Sequence, residues 1–140
     1  MLQIQNKVIK AAILDMDGVL WRMNTPIIDL PKLFTNFEQH GIKVMLATNN
    51  GTATIDGYVK KLSGFGVEFD KTQVVTSAMA LAFLLKKHYP SGGPLYILGE
   101  SALIETLAEL GFYHSEEKPL AVAAGLDRAF TYEKIKNASL

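Results

Sequence analysis

Residues 13–21 read Ile-Leu-Asp-Met-Asp-Gly-Val-Leu-Trp, and they set two carboxylates, Asp15 and Asp17, where an apolar run gives out. Side chains two positions apart on a strand share a face, so these acids repel unless a cation, a phosphate partner or a proton lies between them. Upstream, Val8 to Leu14 is apolar but for Lys10, the pattern of a strand buried on both faces of a parallel sheet. The acids therefore fall at a strand's carboxyl end, and Gly18 lets the backbone turn tightly beyond them.

A second polar tip follows. Ile42 to Ala47 is apolar apart from Lys43 and runs into Thr48-Asn49-Asn50-Gly51-Thr52, all hydrogen-bonding or turn-forming types. Between the two strands, Leu33, Phe34 and Phe37 predict a helix over Leu30–His40, with Asp29 as its N-cap, Pro31 in its first turn and Gly41 as its stop. Further on, the spacing predicts helices over Ile55–Leu62 and Ser77–His88, with Ser63-Gly64 closing the first and a connector through Gly66 and Val67–Asp70. Pro90 to Pro94 is the clearest break. Beyond it the alternation resumes: a strand at Leu95–Leu98, a helix at Glu100–Leu110, a strand at Leu120–Ala124 and a helix from Thr131 to the C-terminus.

Strands alternating with helices imply an α/β fold with a mostly parallel sheet, flanking helices and right-handed connections. Chemistry in such sheets sits beyond the carboxyl ends of the strands, where both polar tips fall. With 140 residues the chain can bury roughly two-thirds of its unfolded surface. Fourteen basic residues balance fourteen acidic ones, so no charge excess favours nucleic acid or an anionic membrane. No run reaches the ~18 apolar residues of a membrane span. The apolar stretch before Asp15 is too short for a signal peptide, which points to a cytoplasmic protein. Cysteine is absent, which excludes thiolate nucleophiles and Cys-type zinc sites, and the three histidines show no metal-ligating spacing.

A phosphate ester with Mg²⁺ accounts for both tips together. Asp15 would be the covalent nucleophile, kept ionised by a shared cation. Asp17 would protonate the leaving oxygen and then deprotonate the attacking water. Gly18 would let the backbone approach the phosphoryl oxygens, which the Thr48 hydroxyl and the Asn49 amide would hold. The competing readings are a solvated strand end and a phospho-acceptor module in which Asp15 signals without turnover. A calcium loop would need further oxygen ligands and a distal glutamate that do not follow Gly18.

The stretch at 13–21, followed some thirty residues later by Val-Met-Leu-Ala-Thr-Asn-Asn-Gly-Thr at 44–52, resembles the haloacid dehalogenase superfamily of phosphatases. The branch it is similar to is subfamily IIA, the 4-nitrophenyl phosphatase and sugar or nucleotide phosphatase type. The segments around Glu100 and from Ala121 to Ile135 look like that branch's α/β cap. The resemblance implies that residues 1–75 are the N-terminal half of a Rossmann-like catalytic core and residues 76–140 the first part of the cap. It implies that Asp15 is nucleophile and Mg²⁺ ligand, that Asp17 is acid/base and ligates Mg²⁺ through its backbone carbonyl, and that Thr48, with Asn49, binds the phosphate of a small phosphorylated metabolite.

The family's later lysine and metal-binding aspartates have no match here: Lys118, Lys134, Lys136 and Asp127 stand in cap-like context. The sequence thus predicts a phosphatase of impaired turnover ending within its cap, or a non-catalytic domain that binds phosphate compounds or a partner chain. Half a core also leaves sheet edges that favour self-association. Trp21 reads as a packing residue, His40, His88 and His114 as solvated, and Asp127-Arg128 as ion-pairing or substrate-facing.

Overall fold

In the computed structural model, which describes residues 3–4 and 7–139, the chain is α/β throughout and falls into two compact units. One takes residues up to 49 together with 55–75; the other takes 50–54 together with 76 onwards.

In the first unit, β1 (Gln3–Ile4) and β2 (Lys7–Val8) pair antiparallel ahead of β3 (Ala11–Asp15). A small antiparallel hairpin, β4 (Trp21–Arg22) with β5 (Thr25–Pro26), follows. Helix α1 (Leu30–Gln39) starts where the Asp29 carboxylate accepts the Lys32 amide at 3.0 Å and stops at Gly41, whose φ of 67° few other residues adopt. β6 (Lys43–Thr48) then pairs in parallel with β3, Ala11 opposite Lys43 and Asp15 opposite Ala47. Helix α2 (Ile55–Gly64) and a short 3₁₀ turn at Lys71–Gln73 lead to β7 (Val74–Thr76), giving the sheet order β3-β6-β7. The Gln73 side-chain amide donates to the Val44 carbonyl at 2.7 Å, fastening that turn to the central strand.

Strand β3 departs from its sequence expectation. It begins at Ala11 rather than Val8, and it is not buried on both faces: Ile13 is 74% exposed. The physical reason is position. β3 is an edge strand, and among the described residues no element packs over its Ile13 face, whereas central β6 alternates buried Val44, Leu46 and Thr48 with less buried neighbours.

The second unit is built on a parallel sheet, β10-β8-β9, from β8 (Gly93–Leu98), β9 (Phe112–His114) and β10 (Val122–Ala124). Helices α3 (Ser77–His88) and α4 (Ser101–Ala108) pack on it around Ala82, Leu95, Leu107 and Phe112, and α5 (Tyr132–Ser139) closes the described chain. The predicted last helix is thus present, with Leu140 outside the described residues. α3 is capped by the buried Thr76, whose Oγ1 accepts the Met79 amide at 3.2 Å.

His114 is not merely solvated. Its Nδ1 accepts the Ile97 backbone amide at 3.0 Å, and its ring lies 5.2 Å from that of Tyr96.

Two substitutions test this arrangement. Leu46→Ala, at a fully buried site on the central strand, should cost about 2–5 kcal/mol. Ile13→Thr, on the open face of β3, should stay within about 0.5 kcal/mol. Urea denaturation of both variants decides the matter; a large loss at Ile13 would mean that its face is covered.

Candidate active site

The site grows from one pairing. With Asp15 opposite Ala47 in a parallel ladder, Asp15 and Thr48 end adjacent strands on the same sheet edge, and neighbouring strands lie roughly 4.8 Å apart. Asp15 is exposed and its Oδ1 accepts the Met16 amide at 2.8 Å, while Met16 itself is fully buried. The chain then coils on itself. Leu20 donates its amide to the Met16 carbonyl at 2.9 Å, and Gly18 donates to the Trp21 carbonyl at 2.7 Å. Gly18 holds φ at 83°, with nothing within 4 Å of where a Cβ would stand. The turn requires glycine for its backbone angle alone, and the space beside it is open.

Asp17 lies on the outside of this coil, exposed, one bridge from the hairpin: its backbone pairs with Trp21 and its Oδ1 accepts the Trp21 indole N–H at 2.8 Å. The coil therefore holds one carboxylate at the strand end and turns the other to the Trp21 indole.

On the neighbouring strand Thr48 is buried, only 7% exposed, while Asn49 is exposed. The Thr48 side chain hydrogen-bonds Tyr58, a residue on the buried face of α2. Burial pushes the Tyr58 hydroxyl above the ordinary tyrosine range; the Thr48 hydrogen bond opposes this, and the negative charges of Asp17 and Asp15 reinforce it. Tyr58 thus feels all three polar groups, so Asp15, Asp17 and Thr48 belong to one electrostatic neighbourhood. Gly18 lies in the coil between the two acids and the hairpin, and Asn49 one residue past Thr48.

The oxygen-rich pair at Asp15 and Asp17, with the Asp17 backbone carbonyl, is a donor set that suits a hard cation such as Mg²⁺. Among the described residues no group of three His, Cys, Asp or Glu side chains converges as a metal cluster. Elsewhere, the Asp127 carboxylate meets Lys134 at 2.6 Å, which holds it below the usual carboxylate range, and Arg128 pairs with Glu100 at 2.9 Å. Both residues of the Asp127-Arg128 pair are therefore engaged in ion pairs.

A model of the haloacid dehalogenase-like hydrolases matches residues 12–113, which include both polar strand ends. The chain belongs to that family. Within it the chain falls in subfamily IIA, among relatives that share its α/β fold. An acid sugar phosphatase of Staphylococcus aureus is 36% identical over 133 residues, 94% of this chain and 51% of that protein. The 4-nitrophenylphosphatase of Thermotoga maritima superposes with a TM-score of 0.85 at 28% identity, over 93% of this chain and 49% of that one. NagD of E. coli K-12 superposes at 0.83 and 28%, over 95% and 52%. The chain spans about half the length of the relatives it matches.

Two side chains of the site escape sequence reasoning. Trp21 reads as packing and is fully buried, yet it also carries the hydrogen bond to Asp17. Tyr58 falls inside the predicted helix over Ile55–Leu62 without being singled out; the available signal is a tyrosine four residues before Leu62 on the helix that follows the Thr48 tip.

The Tyr58 environment has a pH consequence. The folded chain keeps this proton more tightly than the unfolded chain, so its stabilising contribution is complete below pH about 10 and is lost as pH rises through the raised pKa. Thermal denaturation at pH about 9 and about 11 should show a smaller alkaline loss for Tyr58→Phe than for the parent chain. Equal losses would mean that Tyr58 titrates as it does in water.

Proposed function

We propose that the chain acts as a Mg²⁺-dependent phosphatase on a small phosphorylated metabolite, with residues 1–75 as part of the catalytic core and 76–140 as the first part of a cap. The observation that carries this reading is the parallel register that puts Asp15 one strand away from Thr48, inside the neighbourhood that Tyr58 senses. The acid sugar phosphatase and 4-nitrophenylphosphatase relatives support the substrate class.

In this reading Asp15 attacks phosphorus through a carboxylate oxygen. The P–O bond to the leaving group breaks as Asp17 delivers a proton to that oxygen. Asp17, now a carboxylate, takes a proton from water, and the resulting hydroxide displaces Asp15 from phosphorus to give inorganic phosphate. Thr48, the Asn49 amide and the backbone beside Gly18 hold the phosphoryl oxygens, because phosphoryl transfer depends mainly on positioning and charge stabilisation. The Asp15 carboxylate and the Asp17 backbone carbonyl would hold Mg²⁺, which when bound neutralises charge on the phosphoryl group.

The test is hydrolysis of 4-nitrophenyl phosphate with Mg²⁺. Asp15→Asn should abolish turnover, Asp17→Asn should lower it about 10²–10⁴-fold, and Thr48→Ala about 10²–10³-fold. EDTA should remove it. A folded chain with no turnover, or turnover surviving in Asp15→Asn, would refute the enzymatic reading.

A further inference from the structure

Within the first unit one contact chain runs from the edge of the site into the core. Asp17 Oδ1 accepts the indole N–H of Trp21 at 2.8 Å. The Trp21 side chain is fully buried, its ring 5.8 Å from Phe65 and tilted by 46°. Over that ring, at 4.7 Å from its centre, stands the ammonium of Lys61, which also donates to the Met23 carbonyl at 2.5 Å. Met23 is the turn of the β4–β5 hairpin, with φ at 52° and the side chain 86% exposed.

Each part has a physical reason. A buried indole N–H needs an acceptor, and the carboxylate is a strong one. A cation over an indole face is attracted by the ring quadrupole, and Lys61 reaches that face from α2. A fully buried aromatic ring has no freedom to follow the rotation of an exposed side chain, so its N–H holds the Asp17 carboxylate oxygen in one direction.

We propose that Trp21 is the positioning residue of Asp17: its indole N–H fixes the carboxylate's orientation, and Lys61, through the ring and the Met23 carbonyl, ties that orientation to the β4–β5 hairpin. The catalytic half of this inference rests on the acid/base role proposed for Asp17; the hydrogen bond itself does not. Trp21 touches neither substrate nor phosphoryl group in this scheme and acts through Asp17.

The chain has one tryptophan, so its ¹H–¹⁵N spectrum contains one indole N–H resonance. If Asp17 accepts this proton, Asp17→Asn shifts the resonance upfield and Asp15→Asn leaves it nearly unmoved. Lys61→Met, which keeps the indole and the hydrogen bond's two partners, shifts it as well. An indole resonance indifferent to Asp17→Asn overturns the proposal whatever the turnover. In the kinetic arm, Trp21→Phe keeps the ring and loses the donor, and kcat should fall on the order of 10²-fold, with KM little changed and no added loss in the Asp17→Asn background. A full additional loss there would make Trp21 a purely structural residue. Lys61→Met guards against a Trp21→Phe chain that fails to fold. A parent chain without turnover refutes the phosphatase reading alone, because the indole resonance still decides whether Trp21 holds Asp17.

Discussion

The parallel ladder between β3 and β6 is the constraint on which the rest depends. Its register ends both strands on one edge and so brings an acid and a buried hydroxyl, 33 positions apart in sequence, onto neighbouring strand ends. Apolar side chains specify that register: shifting β6 by one residue would turn Val44, Leu46 and Thr48 to the face opposite their buried one. Core packing and site geometry are therefore one requirement, since the burial that stabilises β6 also places Thr48.

What surrounds the two strand ends is largely aromatic. Trp21 and Tyr58 are buried side chains whose single polar atoms reach Asp17 and Thr48 respectively. A large ring anchored in the core is a stiff support, and its lone N–H or O–H gives direction without adding charge. The coil from Met16 to Trp21 adds backbone rigidity, because three successive amides, from Val19, Leu20 and Trp21, converge on the Met16 carbonyl. The two acids are thus held by the chain's own local bonding.

Much of this is legible in the sequence because it rests on local signals. Helix α1 follows from Asp29, Pro31 and Gly41, all within a few residues of its ends, and β6 from an apolar run broken only by Lys43. The parallel α/β class follows from the order of such elements. Strands β4, β5, β7 and β9 are not legible: each has two or three residues and forms only because a partner stands beside it. The exposure of Ile13 is hidden for the same reason, since a strand sequence does not say whether it lies at an edge. The Trp21–Asp17 bond spans four residues inside a turn, and the Tyr58–Thr48 bond joins a helix to a strand; neither follows a repeat that a periodicity could reveal.

Helix α5 shows what happens when burial is missing. None of its residues is buried, and its link to the preceding loop runs through Lys134, which meets Asp127 and the Ala129 carbonyl. Asp127 is almost wholly enclosed while Lys134 is about two-fifths exposed, so one end of the pair faces solvent ions. Among the described α-helices this last helix is the one without a buried residue, so it should open more readily than the others, and its ion pair should loosen as ionic strength rises.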